Sequence, residues 1–137
     1  MKGQLSFEKK TMHARNMRES VARIHEGLPV SAAFAFKDAL GLTNAGLADL
    51  LGVTPRTLAR WDEKGRLDPV AGDRLDRATR LLDTAIAVLE DEAAAVSWLR
   101  RPQRALGGAV PIELASTDIG VRAVEALLGR MEHGVYN

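Results

Sequence analysis

The stretch Leu47-Ala-Asp-Leu-Leu-Gly-Val-Thr-Pro-Arg-Thr-Leu-Ala-Arg-Trp61 decides how this chain folds. Ala48 is small, which lets two helices cross closely. Gly52, four residues on, permits the left-handed backbone that a sharp turn demands. Val53 packs beneath that turn. Thr54 and Pro55 supply the capping hydroxyl and the fixed φ that open a second helix. Leu58 and Trp61, ten and thirteen residues after Ala48, lie one helical turn apart and lock the second helix onto the first. The competing interpretation is an ordinary helical hairpin. The agreement of all these offsets at once favours the tighter unit.

The segment resembles a helix-turn-helix of the Xre/Cro type. The second helix of such a unit lies in the DNA major groove with its N-terminal end toward the bases. Arg56, Thr57 and Arg60 fall off the Leu58/Trp61 face. Arg56 and Arg60 are one turn apart and can offer bidentate donors to guanine edges, each worth roughly 1–3 kcal/mol of discrimination. Thr54 and the helix start suit a phosphate, and Lys64 and Arg66 can reach the DNA backbone. The expected DNA-binding set is therefore Thr54, Arg56, Thr57, Arg60 and Lys64. The alternative is a solvated surface, and Asp62 and Glu63 weaken the positive field.

Composition bounds the rest. The chain has 137 residues, 46% hydrophobic and 27% charged, which fits one compact domain or two small subdomains. It has no cysteine, so disulfides, thiolate metal sites and cysteine nucleophiles are excluded. No apolar run approaches the roughly 18 residues of a membrane helix. The first residues lack a signal-peptide core, so the expected location is cytoplasmic, with no membrane contact. Net charge is +1 but uneven: residues 1–80 carry 14 Lys/Arg against 10 Asp/Glu, and residues 81–137 carry 5 against 8. A basic front and an acidic back suggest two different partners.

Helix signals recur along the chain and strand signals are scarce. Ser6 can cap a first helix that reaches about Glu26. Ser31 can cap a second, holding Phe34, Phe36 and Leu40. Thr43 opens a third that ends at Gly52, and Thr54-Pro55 a fourth that ends at Gly65. Asp68-Pro69 opens a long fifth to about Glu90, with Leu75, Ala78, Leu82, Ala85 and Leu89 as its core stripe and Arg74, Arg77 and Arg80 outside it. A sixth covers about Glu92 to Arg100 and is stopped by Pro102. Pro111 starts a short turn of helix, and Thr117 caps a last helix from about Asp118 to His133. On the last helix Ile119, Ala123, Val124, Leu127, Leu128 and Met131 form an apolar stripe. The fold class is all-α. The expected division is a helix-turn-helix region at 1–68, a connecting helix at 69–90 and a small helical unit at 91–137.

That last unit carries a second pattern: Ala95-x-x-Trp98-Leu99-x-x-Pro102-x-x-x-Leu106-Gly107-Gly108-x-x-Pro111-x-x-Leu114, then Thr117-x-x-Gly120 and Leu128-x-Arg130-x-x-x-Gly134-Val135-Tyr136. Trp98 and Leu99 are apolar anchors before a turn, Gly107-Gly108 lets the backbone fold back, and Pro111 fixes the exit. The pattern resembles the toxin-binding domain of the Xre/MbcA/ParS antitoxins. With the Xre-like front half, the resemblance covers nearly the whole chain. It implies pairing with a RES-domain toxin, an enzyme that consumes NAD, whose active-site entrance the C-terminal region covers. It also implies that the complex represses its own operon by binding operator DNA. The expected toxin-binding residues are Trp98, Leu106, Gly107, Gly108, Arg130, His133, Gly134, Val135, Tyr136 and Asn137.

An intrinsic enzyme is a poor fit. His13 and His25 fall on the first helix and His133 at the end of the last, without metal-ligand spacing, and no glycine-rich phosphate loop follows a strand. No metal or cofactor is expected. The real competitor is a free-standing helix-turn-helix regulator whose C-terminal segment dimerises or senses a ligand. DNA binding by one small module calls for a homodimer. Phe7, Met17, Val21 and Ile24 offer a possible seam, although burial against the second helix explains them equally well. In a toxin mouth lined with cations, the Asn137 carboxylate can make charge-assisted hydrogen bonds while Tyr136 fills apolar space. Deleting residues 134–137 is therefore expected to lower NAD in cells that co-express the toxin. Unchanged NAD would dismiss this terminal plug.

Overall fold

The structure is a computed structural model that describes residues 17–19 and 21–134. Helical residues 17–19 and 21–26 come first. They are followed by α1 (Val30–Leu40), α2 (Asn44–Leu51), α3 (Pro55–Ala59), α4 (Pro69–Leu89), α5 (Glu92–Arg100), a 3-10 turn (Arg104–Leu106), α6 (Pro111–Leu114) and α7 (Asp118–Glu132). The all-α expectation holds, with a helix-turn-helix half followed by a small helical C-terminal half. The expected cap Ser6 and the seam residue Phe7 lie outside the described residues.

Side-chain caps open most of these helices, at Thr43, Thr54, Asp68 and Thr117 as the sequence predicts and at Asp91 in addition. Thr43, Thr54, Asp68, Asp91 and Thr117 each accept a hydrogen bond from the backbone amide three residues on. α1 is different. It starts at Val30 with extended Pro29 before it and no side-chain cap, so Ser31 lies inside the helix. The Val30 amide donates instead to the Gly65 carbonyl at 3.0 Å, and Leu67 donates to Leu28 at 2.7 Å. Arg66 Nη1 donates to the Gly27 carbonyl at 3.1 Å, so its guanidinium clasps the protein's own backbone. These bonds tie the entry of α1 to the exit of the helix-turn-helix.

α3 ends at Ala59, six residues short of Gly65 where the sequence pattern places its end. The chain tightens at that point. Arg60 and Trp61 amides donate to Thr57 and Leu58 carbonyls, an i-to-i−3 pattern. The Asp62 carboxylate then accepts from the Lys64 amide at 3.0 Å, and Gly65 closes back on the Asp62 carbonyl.

α4 is the spine. Ala71, Leu75, Ala78, Leu81, Leu82 and Ala85 are all buried along it. It packs on α2 in the front half and on α5 and α7 in the back half. Ile24 reaches it at Gly72, whereas Met17 and Val21 are more than half exposed, so burial against α1 does not account for them. On α7 the buried face is Gly120, Val121, Val124, Leu127 and Leu128. The expected stripe is thus rotated at its start: Ile119 is 83% exposed and Ala123 faces out. Gly120 fixes this phase, because a methyl group there would overlap the Leu114 carbonyl oxygen. α6 and α7 can meet only backbone to backbone at that point.

One buried charge is neutralised on α4. Asp76, 7% exposed, accepts from Arg80 Nε at 3.0 Å and faces Arg23 at 3.9 Å. A carboxylate so placed persists because a cation bonds it. Burial first, then the Asp76 carboxylate, raises Asp83 above its usual value of 3.8. The folded chain therefore holds that proton more tightly than the unfolded chain. Its contribution is fully present below the usual value and is lost as pH rises through the raised one.

Two outcomes follow. Gly120→Ala lowers stability in chemical denaturation by about 1–3 kcal/mol, the usual cost of overpacking; an unchanged midpoint would refute the close approach. Asp83→Asn raises the melting temperature at pH 7, and the gain fades as pH falls through the raised value and is gone below about 3.8. A gain that grows in acid would contradict the assigned cause.

Candidate functional site

Two groups of residues stand out from the packed core. The first is α3 and the turn after it. Leu58 is buried and Trp61 is half-buried against the core, as the spacing from Ala48 requires. That orientation leaves Arg56, Thr57, Arg60 and Lys64 exposed. Among the described residues, the side chains of Arg56 and Arg60 make no hydrogen bond or ion pair with the protein. Thr54 is already committed: its Oγ1 accepts from the Thr57 amide at 3.1 Å and donates to the Thr57 hydroxyl at 3.0 Å. Its contribution is to hold the start of α3. Of the five expected DNA-binding residues, Arg56 and Thr57 lie in α3, Thr54 and Arg60 flank it as its caps, and Lys64 is in the turn behind them.

The second group lies in the C-terminal half. Trp98 is 9% exposed, and its carbonyl accepts from Gln103 Nε2 at 2.9 Å. It packs with the core, unlike the exposed glycines that follow it. Leu106 is half-buried on the core. The loop from 103 to 109 is closed by bonds from Gln103 to Ala109 at 3.0 Å and from Gly108 to Gln103 at 2.9 Å. At its tip Gly107 and Gly108 have φ of 66° and 86°, which L side chains rarely adopt. Both are exposed, with open space where a side chain would stand. The 3-10 turn beside them touches α7. At the far end of α7, Arg130, His133 and Gly134 are exposed. Val135, Tyr136 and Asn137 lie outside the described residues.

The sequence reading missed the residues that join the two groups. Arg74 and Arg77 do lie off the apolar stripe, but they are half-buried rather than solvated. Arg74 Nη1 donates to the Ser116 carbonyl at 3.1 Å, and Arg77 pairs with Asp73 and with Asp118, each at 3.1 Å. Arg100, on α5, lies against Gly41 at the end of α1: a methyl group on that glycine would stand 2.8 Å from its Nη1. The only sequence signal for these ties is the recurrence of arginine at 74, 77 and 80 along one flank of the stripe. Among the described residues there is no cluster of three potential metal ligands, and no helix is long and apolar enough to cross a membrane.

Comparison with known proteins matches the two regions in which these groups lie. Residues 19–82 fit the model of the antitoxin Xre-like helix-turn-helix domain. Residues 84–134 fit that of the antitoxin Xre/MbcA/ParS C-terminal toxin-binding domain. The chain belongs to the Xre/MbcA/ParS antitoxin family. This antitoxin is 29% identical over 116 residues to Antitoxin Xre of Photorhabdus laumondii, covering 83% of the chain and 78% of that protein. It is 34% identical over 88 residues to Antitoxin Xre of Yersinia enterocolitica, covering 63% of the chain and 60% of that protein. A solved relative is the M. tuberculosis MbcT–MbcA toxin–antitoxin complex, one chain of which it matches with TM-score 0.55 at 28% identity. That match covers 79% of this chain and 96% of the other. The boundary between the matched regions falls inside α4, at residues 82–84. One continuous helix therefore carries both domains of the antitoxin.

Proposed function

We propose that this antitoxin neutralises a RES-domain toxin, an NAD-consuming enzyme, by covering its active-site entrance with the C-terminal unit. In the same reading it binds operator DNA through α3 as a homodimer in a larger complex and represses its own operon in the cytoplasm. The observation that carries this reading is how the exposed groups divide. Arg56 and Arg60 stand on the outer side of α3, while the Gly107-Gly108 tip, Arg130 and His133 stand exposed on the C-terminal unit. None of them serves the core.

Charge supports the same division. An NAD pocket must bind a diphosphate and so calls for cations, and the back of the antitoxin is acidic, with 5 Lys/Arg against 8 Asp/Glu in residues 81–137. The front half is basic, which suits a phosphate backbone. Leu106, Gly107, Gly108, Arg130, His133 and Gly134, continuing into Val135, Tyr136 and Asn137, are the proposed contact. Met17 and Val21 are a proposed seam between two copies.

Co-expression with the product of the adjacent open reading frame tests the reading. NAD should be preserved when both are made and depleted when the toxin is made alone. Equal NAD in the two cases would refute it. Arg60→Ala should weaken operator binding by roughly tenfold, within the 1–3 kcal/mol of one bidentate base contact, and leave NAD protection intact. Loss of both together would assign Arg60 a structural role.

A further inference from the structure

Gly52 ends α2 and begins the turn into α3, with φ of 72°. A methyl group on it would stand 2.7 Å from Arg74 Nη1 and 2.8 Å from Arg74 Cζ. The Arg74 guanidinium therefore lies directly against the glycine at which the helix-turn-helix bends. The same Nη1 donates to the Ser116 carbonyl at 3.1 Å. Ser116 sits between the end of α6 and Thr117, the residue that caps α7. A single cation thus stands between the C-terminal end of α2, whose carbonyl end favours positive charge, and the turn that joins α6 to α7. One of its sides rests on the domain that matches the antitoxin Xre-like helix-turn-helix model. The other holds the domain that matches the toxin-binding model.

We propose that Arg74 is a positioning residue through which the C-terminal unit sets the turn of the helix-turn-helix, and with it the direction of α3. The Val53 amide donates to the Ala48 carbonyl at 2.9 Å and closes this turn. From there only Thr54 separates Val53 from Pro55, the first residue of α3. A shift at Ser116 moves the guanidinium, the guanidinium moves off Gly52, and the turn reopens. Lysine does not replace it: a compact ammonium cannot both cover the glycine and reach the carbonyl as a planar fork does. The effect on DNA rests on the proposed DNA-binding role of α3. The coupling itself does not.

The test uses the full chain and reads hydrogen exchange of the Val53 amide by NMR, with the Val124 amide in α7 as a control for global stability. Arg74→Ala should speed Val53 exchange at least fivefold and leave Val124 within twofold. Arg74→Lys should behave the same way, and it serves alone where the alanine variant does not fold. Thr117→Val removes the cap next to Ser116. It should speed Val53 exchange when Arg74 is present and have no further effect in Arg74→Ala or Arg74→Lys. An equal effect of Thr117→Val with and without Arg74, or an unchanged Val53 rate in both Arg74 variants, would overturn the proposal.

A second arm measures binding to duplex DNA taken from directly upstream of the antitoxin's own gene. Arg74→Lys should weaken it five- to tenfold although residue 74 lies outside α3. Unchanged DNA affinity beside faster Val53 exchange would overturn the link from the turn to α3. Absence of binding by the unsubstituted chain would refute the DNA-binding role and leave the exchange result to decide the coupling.

Discussion

Helix α4 carries more apolar surface than one neighbour can cover. Leu75, Ala78, Leu81, Leu82 and Ala85 are buried along it, and α2, α5 and α7 all take part in covering them. At roughly 1.5–3 kcal/mol for each fully buried leucine, the three leucines alone are comparable with the net stability of a small domain. Neither half of the chain can leave this helix without exposing that stripe. The flanks then add direction to the packing. Arg74 and Arg77 reach the turn before α7 and α7 itself from one side of the helix, and Asp76 is held by Arg80 and Arg23 on another.

Much of this was legible in the sequence, because it rests on local chemistry. The caps at Thr43, Thr54, Asp68 and Thr117 are short-range hydrogen bonds, and they place helix starts within the chain's own spacing. The Ala48, Leu58 and Trp61 offsets report a crossing of two adjacent helices. What escaped depends on contacts between distant residues. Val30 begins α1 because Gly65 offers a carbonyl, and no pattern near Ser31 contains that information. α3 stops at Ala59 because the chain must return to pair with residues 28–30.

The same limit applied to the candidate sites. Exposure of Arg56 and Arg60 follows from the helical wheel once Leu58 is inside. Burial of Trp98 does not, since an apolar anchor before a turn reads alike whether it packs inward or meets a partner. On α7 the stripe was off by one step at Ile119 because Gly120 packs on a backbone carbonyl, a contact without a hydrophobic signature. The arginines were the deepest omission. A long cationic side chain on a helix flank reads as solvated until its target, the Ser116 carbonyl or Asp118, is brought beside it.

Under the proposed function the C-terminal unit, and not α3, receives the toxin. Hydrogen exchange across the antitoxin, alone and in complex with the product of the adjacent open reading frame, measures this directly. Exchange should slow at residues 103–110 and 129–134 and stay unchanged at Pro55–Ala59. Slowing confined to Pro55–Ala59, with residues 103–110 and 129–134 unaffected, would contradict it.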